Sequence, residues 1–304
     1  MIVTVPVTVT DSILTASNVA ETDYAAWAVG TSYLLGQRVI VIGTNSHKVY
    51  ESLQGTVPSP NLGHTPGGAT NVWWLEIGET NKWRMFNGTV QSQTSNANTI
   101  NITLVTTQRI DTIALLNISA YTAQIKVTDA IDGMVYNKTT VLASYSGINN
   151  WYSYFYEPVA RKADFIAHDL PPYSSATINI ILTDTGNTVA VGALIMGLQN
   201  FLGNTQYGAK VGIQDYSVKT QDSFGNYTVL QRSFRKTGSF VMQLPYNFVD
   251  QLITKLTALR STPVLWSGSD SYDSTIIYGF YKDLSVTITY MEVSTCTLEI
   301  EGLT

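Results

Sequence analysis

Apolar residues fall at every second position in one short run after another. Ile100, Ile102 and Leu104 alternate with Asn101 and Thr103, and Ile125 and Val127 alternate with Lys126 and Thr128. Ile178, Ile180 and Leu182 form a third run; Leu284, Val286, Ile288 and Tyr290 form a fourth against Ser285, Thr287 and Thr289. Successive side chains on a strand point to opposite faces, so each run predicts a strand with one buried and one wet face. Thr, Val, Ile and Tyr fill these runs and suit a pleated, half-buried surface. Turn chemistry punctuates them at Asp132-Gly133, Phe224-Gly225-Asn226 and Ser267-Gly268-Ser269. Gly186-Asn187, between the runs 178–183 and 189–194, predicts a short hairpin connection. The fold class is therefore mainly β.

One segment changes period. Phe248, Val249, Leu252, Ile253, Leu256 and Leu259 share a stripe at helical spacing, opposite Gln251, Lys255 and Arg260. Asn247 is placed as an N-cap, Asp250 favours the positive end of the helix, and Pro263 closes the segment. This predicts a helix over 247–261 with one face on a sheet. The Gly/Pro-rich stretch 54–72 reads as a long irregular loop, and seams fall near Gly78–Asn81 and Gly203–Thr205. The organisation expected is an arm (1–21), a small aromatic-rich β module (22–79), an antiparallel β-sandwich (80–205) and a β domain carrying the helix (206–304).

Composition narrows the function. The chain has 304 residues, 44% hydrophobic, 11% aromatic and 13% charged, with a formal net charge of −5. So many aromatics at so low a charge exclude a disordered chain. Seventeen Lys+Arg against 22 Asp+Glu, in no long like-charge run, supply no basic patch, so no nucleic-acid partner is expected. No apolar run reaches about 18 residues, so membrane insertion is not expected either, and Met1–Pro6 lacks the pattern of a cleaved leader. The single Cys296 excludes an intramolecular disulfide framework. A surface of Thr, Ser, Asn and Gln with few charges fits either coverage by neighbours in an assembly or an ordinary Thr-rich β protein.

From Trp27 to Trp74 the order is Trp27, Tyr33, Gly36, Val39, Tyr50, a Gly/Pro loop and Trp73-Trp74. This resembles the small carbohydrate-binding modules appended to chitinases. A domain of about 55 residues buries little surface, so large aromatics must supply much of its core. Rings left on its face would stack against sugars. Trp27, Tyr33, Trp73 and Trp74 are the candidate carbohydrate-binding residues; the alternative places Trp27, Tyr50 and one of Trp73 and Trp74 in the core.

The whole chain is similar to a group of tailed-bacteriophage virion proteins from tail and tail-tip gene neighbourhoods. The likeness rests on Ala16–Tyr24, on Thr80-Asn81-Lys82-Trp83-Arg84-Met85-Phe86-Asn87-Gly88, on Asp215-Tyr216-Ser217 and on Tyr278–Asp283. Strands expected at Tyr227–Arg235 and Ser239–Leu244, then the helix, Val264-Leu265-Trp266, and the pair 284–291 and 294–300, resemble the distal-tail and tail-hub proteins of long-tailed phages. The middle part, with Ile110–Leu116 and Val189–Gly197, looks like a jelly-roll sandwich of the galactose-binding kind. The resemblance implies a non-enzymatic virion protein, assembled in the host cytoplasm. It implies a homo-oligomeric ring contacting the tail tube, hub and fibres. A glycan on the host surface is the further partner expected.

Reactive chemistry is sparse. His47, His64 and His168 are scattered, and no nucleophile elbow, P-loop or dinucleotide fingerprint is present. Glu299 and Glu301 share a strand face, which fits either a glycosidase-like pair or a solvated or interface face. His168 beside Asp169 reads as an exposed neighbour pair, and Asp270 and Asp273 lack the spacing of a calcium loop. No catalytic residue, metal or cofactor is expected, and Cys296 is expected to pack as a small apolar residue.

Overall fold

The computed structural model describes residues 1–304 apart from 57–59, 69–70, 145–147, 270–271, 289–291 and 304. Tyr290 and Asp270 lie outside the described residues. The fold is mainly β, built around a 14-stranded antiparallel sheet with one packed helix. The sheet runs from an edge at Gly133–Val141 through Thr122–Asp129, Thr177–Phe201, Ile2–Pro6 and Val264–Ser267. It continues through Ile276–Thr287, Val293–Gly302 and Phe234–Pro245 to Asn204–Thr205.

The 25-residue strand Thr177–Phe201 organises the middle of the molecule. Gly186-Asn187 is not a hairpin connection, because both flanking segments pair with the same neighbour, Thr94–Val105. The register passes from Thr183 opposite Thr99 to Thr188 opposite Ala97, so 184–187 bulge against Asn98. Gly186 and Asn98 both take positive φ, and the Gly186 N–H donates to Asn98 Oδ1 at 2.8 Å. Bulges bend a strand and raise its twist. On one side of the bend the strand Thr122–Asp129 runs beside 177–183, and on the other Thr112–Ser119 runs beside 190–197.

The alternating runs bury the faces expected of them. Ile100, Ile102, Leu104, Ile125, Val127, Ile178, Ile180 and Leu182 join Ile113 and Leu115 in one core. The opposite face of Thr112–Ser119 is buried too: Ala114 and Leu116 pack with Ala193 and Ile195 against Leu265, Ile276 and Tyr278. That strand reads as a continuous apolar run because both of its faces are covered. The fourth run behaves differently. Leu284 and Val286 pack on the C-terminal core, whereas the strand ends at Thr287 and Ile288 is exposed.

Residues 1–21, expected as an arm, supply strands to this sheet. Ile2–Pro6 lies between the Thr177–Phe201 and Val264–Ser267 strands with Val3 and Thr4 buried, and Leu14–Ser17 pairs with Thr94–Val105. The N-terminal ammonium donates to Gly203 O at 2.7 Å.

In the C-terminal part Phe240, Met242, Leu244, Trp266, Cys296, Leu298 and Ile300 form the core. Leu252 and Leu256 of the helix Val249–Ala258 close it. The helix starts later than expected and Asn247 is not its cap. The strand from Phe234 runs on to Pro245, and Tyr246–Phe248 make a 3-10 turn leading straight into the helix. Phe248 holds the N-cap position with no side-chain hydrogen bond. The expected strands 227–235 and 239–244 are likewise redrawn as Tyr227–Leu230 and Phe234–Pro245.

Candidate functional site

The small module is a three-stranded sheet, Arg38–Gly43, Ser46–Ser52 and Trp74–Glu79, with a two-stranded piece, Ser32–Tyr33 with Asn61–Leu62. Its core is Tyr33, Val39, Tyr50 and Trp74, with Trp27 and Trp73 packed against it half-buried. Two of the expected sugar platforms are therefore core residues. Tyr33 meets Trp74 edge-on at 5.2 Å and its hydroxyl accepts the Ala28 N–H, and the Trp74 indole donates to His64 O at 2.7 Å. So small a module has little but large rings with which to fill its interior. Trp73 is covered on one side by the His64 ring, stacked at 3.8 Å. The Trp27 indole N–H is buried without a hydrogen-bond partner.

The module is fastened to the large sheet by the segment Thr80–Met85. Thr80 is fully buried and its hydroxyl donates to Glu21 Oε1 at 2.7 Å. The Asn81 N–H donates to Asp23 Oδ2, the Asn81 side chain bridges to the Ser95 backbone, and Met85 inserts into the main core. Beside this joint His47 is buried, with Nε2 at 2.7 Å from Asp11 Oδ1 and Nδ1 at 2.7 Å from Glu21 Oε1. Its ring stacks on Trp83 at 4.3 Å. Asp11 and Asn45 exchange two further hydrogen bonds. The Asn45 N–H, foremost, holds the Asp11 carboxyl below the usual carboxylate range, with help from His47.

A second aromatic group was missed by sequence reasoning. Trp151–Tyr156 forms a short helix capped by Asn150, whose side chain accepts the Ser153 N–H. Ser153 is its buried residue, while Trp151, Tyr152, Tyr154, Phe155 and Tyr156 all stand more than half exposed. Trp151 lies against Tyr154 and Phe155, and Tyr152 against Tyr156, so rings occupy both sides of the helix. The available signal was the Asn150–Ser153 cap and an uninterrupted aromatic sequence without charge.

A third exposed feature is a two-stranded ribbon. Lys210–Asp215 pairs with Phe234–Ser239, and Val218–Gln221 pairs with Tyr227–Leu230 beyond it. Every residue from Gln206 to Phe234 is exposed except the half-buried Ser217. The tip is tied by its own hydrogen bonds: Asp222 Oδ1 accepts the N–H groups of Phe224 and Asn226, and Gly225 takes a positive φ of 88°. Phe224 is held out at 89% exposure. At the root, Arg235 binds Gln214 and Glu301 and stacks over Tyr216.

The polar candidates go elsewhere. Glu301 pairs with Arg235 and Lys282, while Glu299 is exposed on the same strand. Asp169 turns away from His168 to Lys138 and Tyr136, each at 2.8 Å. Lys138 holds the Asp169 carboxyl low, and burial, reinforced by Asp169, pushes the Tyr136 hydroxyl up. Burial pushes the Cys296 thiol up to about 11. Among the described residues no group of three or more His, Cys, Asp or Glu is arranged to hold a metal ion, and no helix is long and apolar enough to cross a membrane. A groove of about 650 Å³ beside the ribbon root is lined by Met1, Thr205, Tyr207, Phe240 and Thr275, among others, with no carboxylate, imidazole or thiol among the described residues of its wall. No protein-family model matches the chain, and no curated protein matches it.

Proposed function

We propose that this chain is a non-enzymatic structural protein of a bacteriophage tail, a ring, hub or adaptor that joins the tail to its receptor-binding parts. The observation that carries the reading is the exposed ribbon, whose Val, Tyr, Phe and Leu side chains a monomer leaves largely in water. A cluster of exposed large apolar side chains is a mark of an association site. The low charge of the chain and its end-to-end likeness to tail proteins support the same reading. Closed rings repeat one heterologous contact, so a modest contact becomes strong on closure. Size-exclusion chromatography with light scattering on the full chain is expected to give a discrete multiple of 33.3 kDa. A labelled subunit is expected at the tail end of the particle. A strict monomer that also fails to join tail proteins overturns the proposal.

The exposed rings of 151–156 favour a second reading, adhesion to a host-surface glycan. Indole and phenol faces offer flat apolar platforms with a polar edge. Retention on chitin, peptidoglycan or lipopolysaccharide, weakened about tenfold by Trp151→Ala, is the expected result. No retention on any of the three, with the chain folded, counts against it.

A further inference from the structure

We infer that the groove beside the ribbon root binds a short stretch of uncharged oligosaccharide. The inference rests on the adhesion reading above and gives it a site apart from both the helix 151–156 and the small aromatic module. Two segments line the groove, 204–209 and 268–275, over a floor of the buried Phe240 and Gly268. Its volume of about 650 Å³ lies within the roughly 300–1,000 Å³ of small-molecule sites. Both segments are fixed by the chain's own bonds. The Thr205 hydroxyl donates to Gly268 O at 2.7 Å and ties one to the other. Asn204–Thr205 pairs with the strand Phe234–Pro245, and the Gln206 N–H donates to Val241 O at 2.8 Å. On the far side the buried Thr275 hydroxyl accepts the Ser269 N–H and donates to Tyr272 O at 2.7 Å. A site held in this way loses little freedom when a ligand enters.

The chemistry of the wall selects the ligand. Among the described residues it has no charged side chain, and the Met1 ammonium is turned to Gly203 O. Asp273, beside the groove in sequence, is drawn off to Lys162 at 2.8 Å. A charged ligand would give up its water here for no opposite charge. What the wall does offer is amides and hydroxyls. Asn204, Gln206, Tyr207, Tyr272 and Ser274 line it, and their side chains take no hydrogen-bond partner among the described residues. Amides and hydroxyls both donate and accept, as the hydroxyls of a sugar do. Tyr207 is fully exposed and Tyr272 is 62% exposed, so two phenol rings stand at the groove. A ring with an apolar face and a polar tip meets both the C–H face of a sugar and its hydroxyl edge. A lipid chain would leave the same polar groups unpaired. Hydrolysis of a glycoside takes two carboxyl groups across the bond; with none among the described residues of the wall, the groove holds the sugar without cutting it.

The experiment is calorimetry on the full chain with neutral hexasaccharides of glucose, galactose, mannose and N-acetylglucosamine, and with polygalacturonate as the acidic counterpart. At least one neutral hexasaccharide is expected to bind. A Tyr207→Ala/Tyr272→Ala variant is expected to bind it at least tenfold more weakly, and Trp151→Ala within twofold of wild type. Both tyrosines are exposed, and matched circular dichroism and thermal melts establish that the variants fold as the wild type does. Hydrogen exchange needs the wild type alone: amides 204–209 and 272–275 are expected to slow at least threefold at saturating sugar. Binding that survives loss of both tyrosines and is lost with Trp151→Ala overturns the groove and leaves adhesion standing on the helix. Binding of polygalacturonate alone, or of no oligosaccharide, overturns the groove. The adhesion reading falls with it only if the chain is also not retained on chitin, peptidoglycan or lipopolysaccharide.

Discussion

Gly279 and Gly192 sit where no side chain fits. A Cβ on Gly279 would stand 2.1 Å from Glu301 O, and one on Gly192 would stand 2.0 Å from Val90 O. The obstacle in each case is backbone, which cannot swing aside as a side-chain tip can. Gly279→Ala is therefore expected to destabilise the C-terminal core by about 1–3 kcal/mol, read as a lower urea midpoint at unchanged slope. Gly208→Ala is the control for crowding, since nothing lies within 4 Å of its Cβ position, although its positive φ of 98° adds local strain. Cys296 gives the chemical counterpart. It is fully buried between Met242 and Val286 in register, and burial pushes its thiol up to about 11. The thiolate is the reactive form. At about pH 8 a disulfide-exchange reagent is expected to leave native Cys296 untouched and to titrate it only after unfolding; prompt reaction of the folded protein contradicts the packing described.

At the scale of elements, the helix Val249–Ala258 separates its stripe into working and idle positions. Leu252 and Leu256 are buried, whereas Ile253, on the same stripe in sequence, is 44% exposed. Leu256→Ala is expected to cost about 2–5 kcal/mol, and Ile253→Ala about 0.5 kcal/mol or less, by chemical denaturation. The same division explains what could be read from the chain. Period-two runs such as Ile100–Leu104 and Ile178–Leu182 were legible because one face is buried and the other wet. The bend at 184–187 was not, because Gly-Asn supplies positive φ equally well to a hairpin and to a bulge. Asn247 misled because capping residues suit any extended entry to a helix, and here Pro245 and the 3-10 turn replace that entry. The exposure of the ribbon was illegible because alternation reports burial, and the chain alone buries neither of its faces. In the module, ring count announced an aromatic core, but only packing could divide Tyr33 and Trp74 from the half-exposed Trp27 and Trp73.

Across the whole molecule, parts remote in sequence are held by a few joints more than by linkers. Ile2–Pro6 stitches the middle sheet to the C-terminal strands, and Ala114, Leu116, Leu265 and Tyr278 seal that junction with apolar contact. The joint of the small module adds polar bonds to the packing of Trp83 and Met85: Thr80 and Glu21, Asn81 and Asp23, and His47 between Asp11 and Glu21. A joint built on carboxylates responds to acid in a defined direction. The Asp11 carboxyl is held below its ordinary value, first by the Asn45 N–H and then by His47. A depressed folded-state pKa means that the ionised form is the one stabilised. Its contribution is whole above the unfolded value of about 3.9 and disappears as pH falls through the folded value. Protonation takes an acceptor from Asn45 and weakens the contact with His47 Nε2 together. Exchange protection of amides 45–48 and 80–83 is therefore expected to fall when the pH drops from about 7 to about 2.5, while the apolar junction through Leu116 and Leu265 keeps its protection. Asp11→Asn is expected to show reduced protection at the joint already at neutral pH and a much smaller further loss in acid. Equal acid sensitivity in Asp11→Asn and wild type would place the weak point elsewhere, because only the wild type has an Asp11 proton to gain.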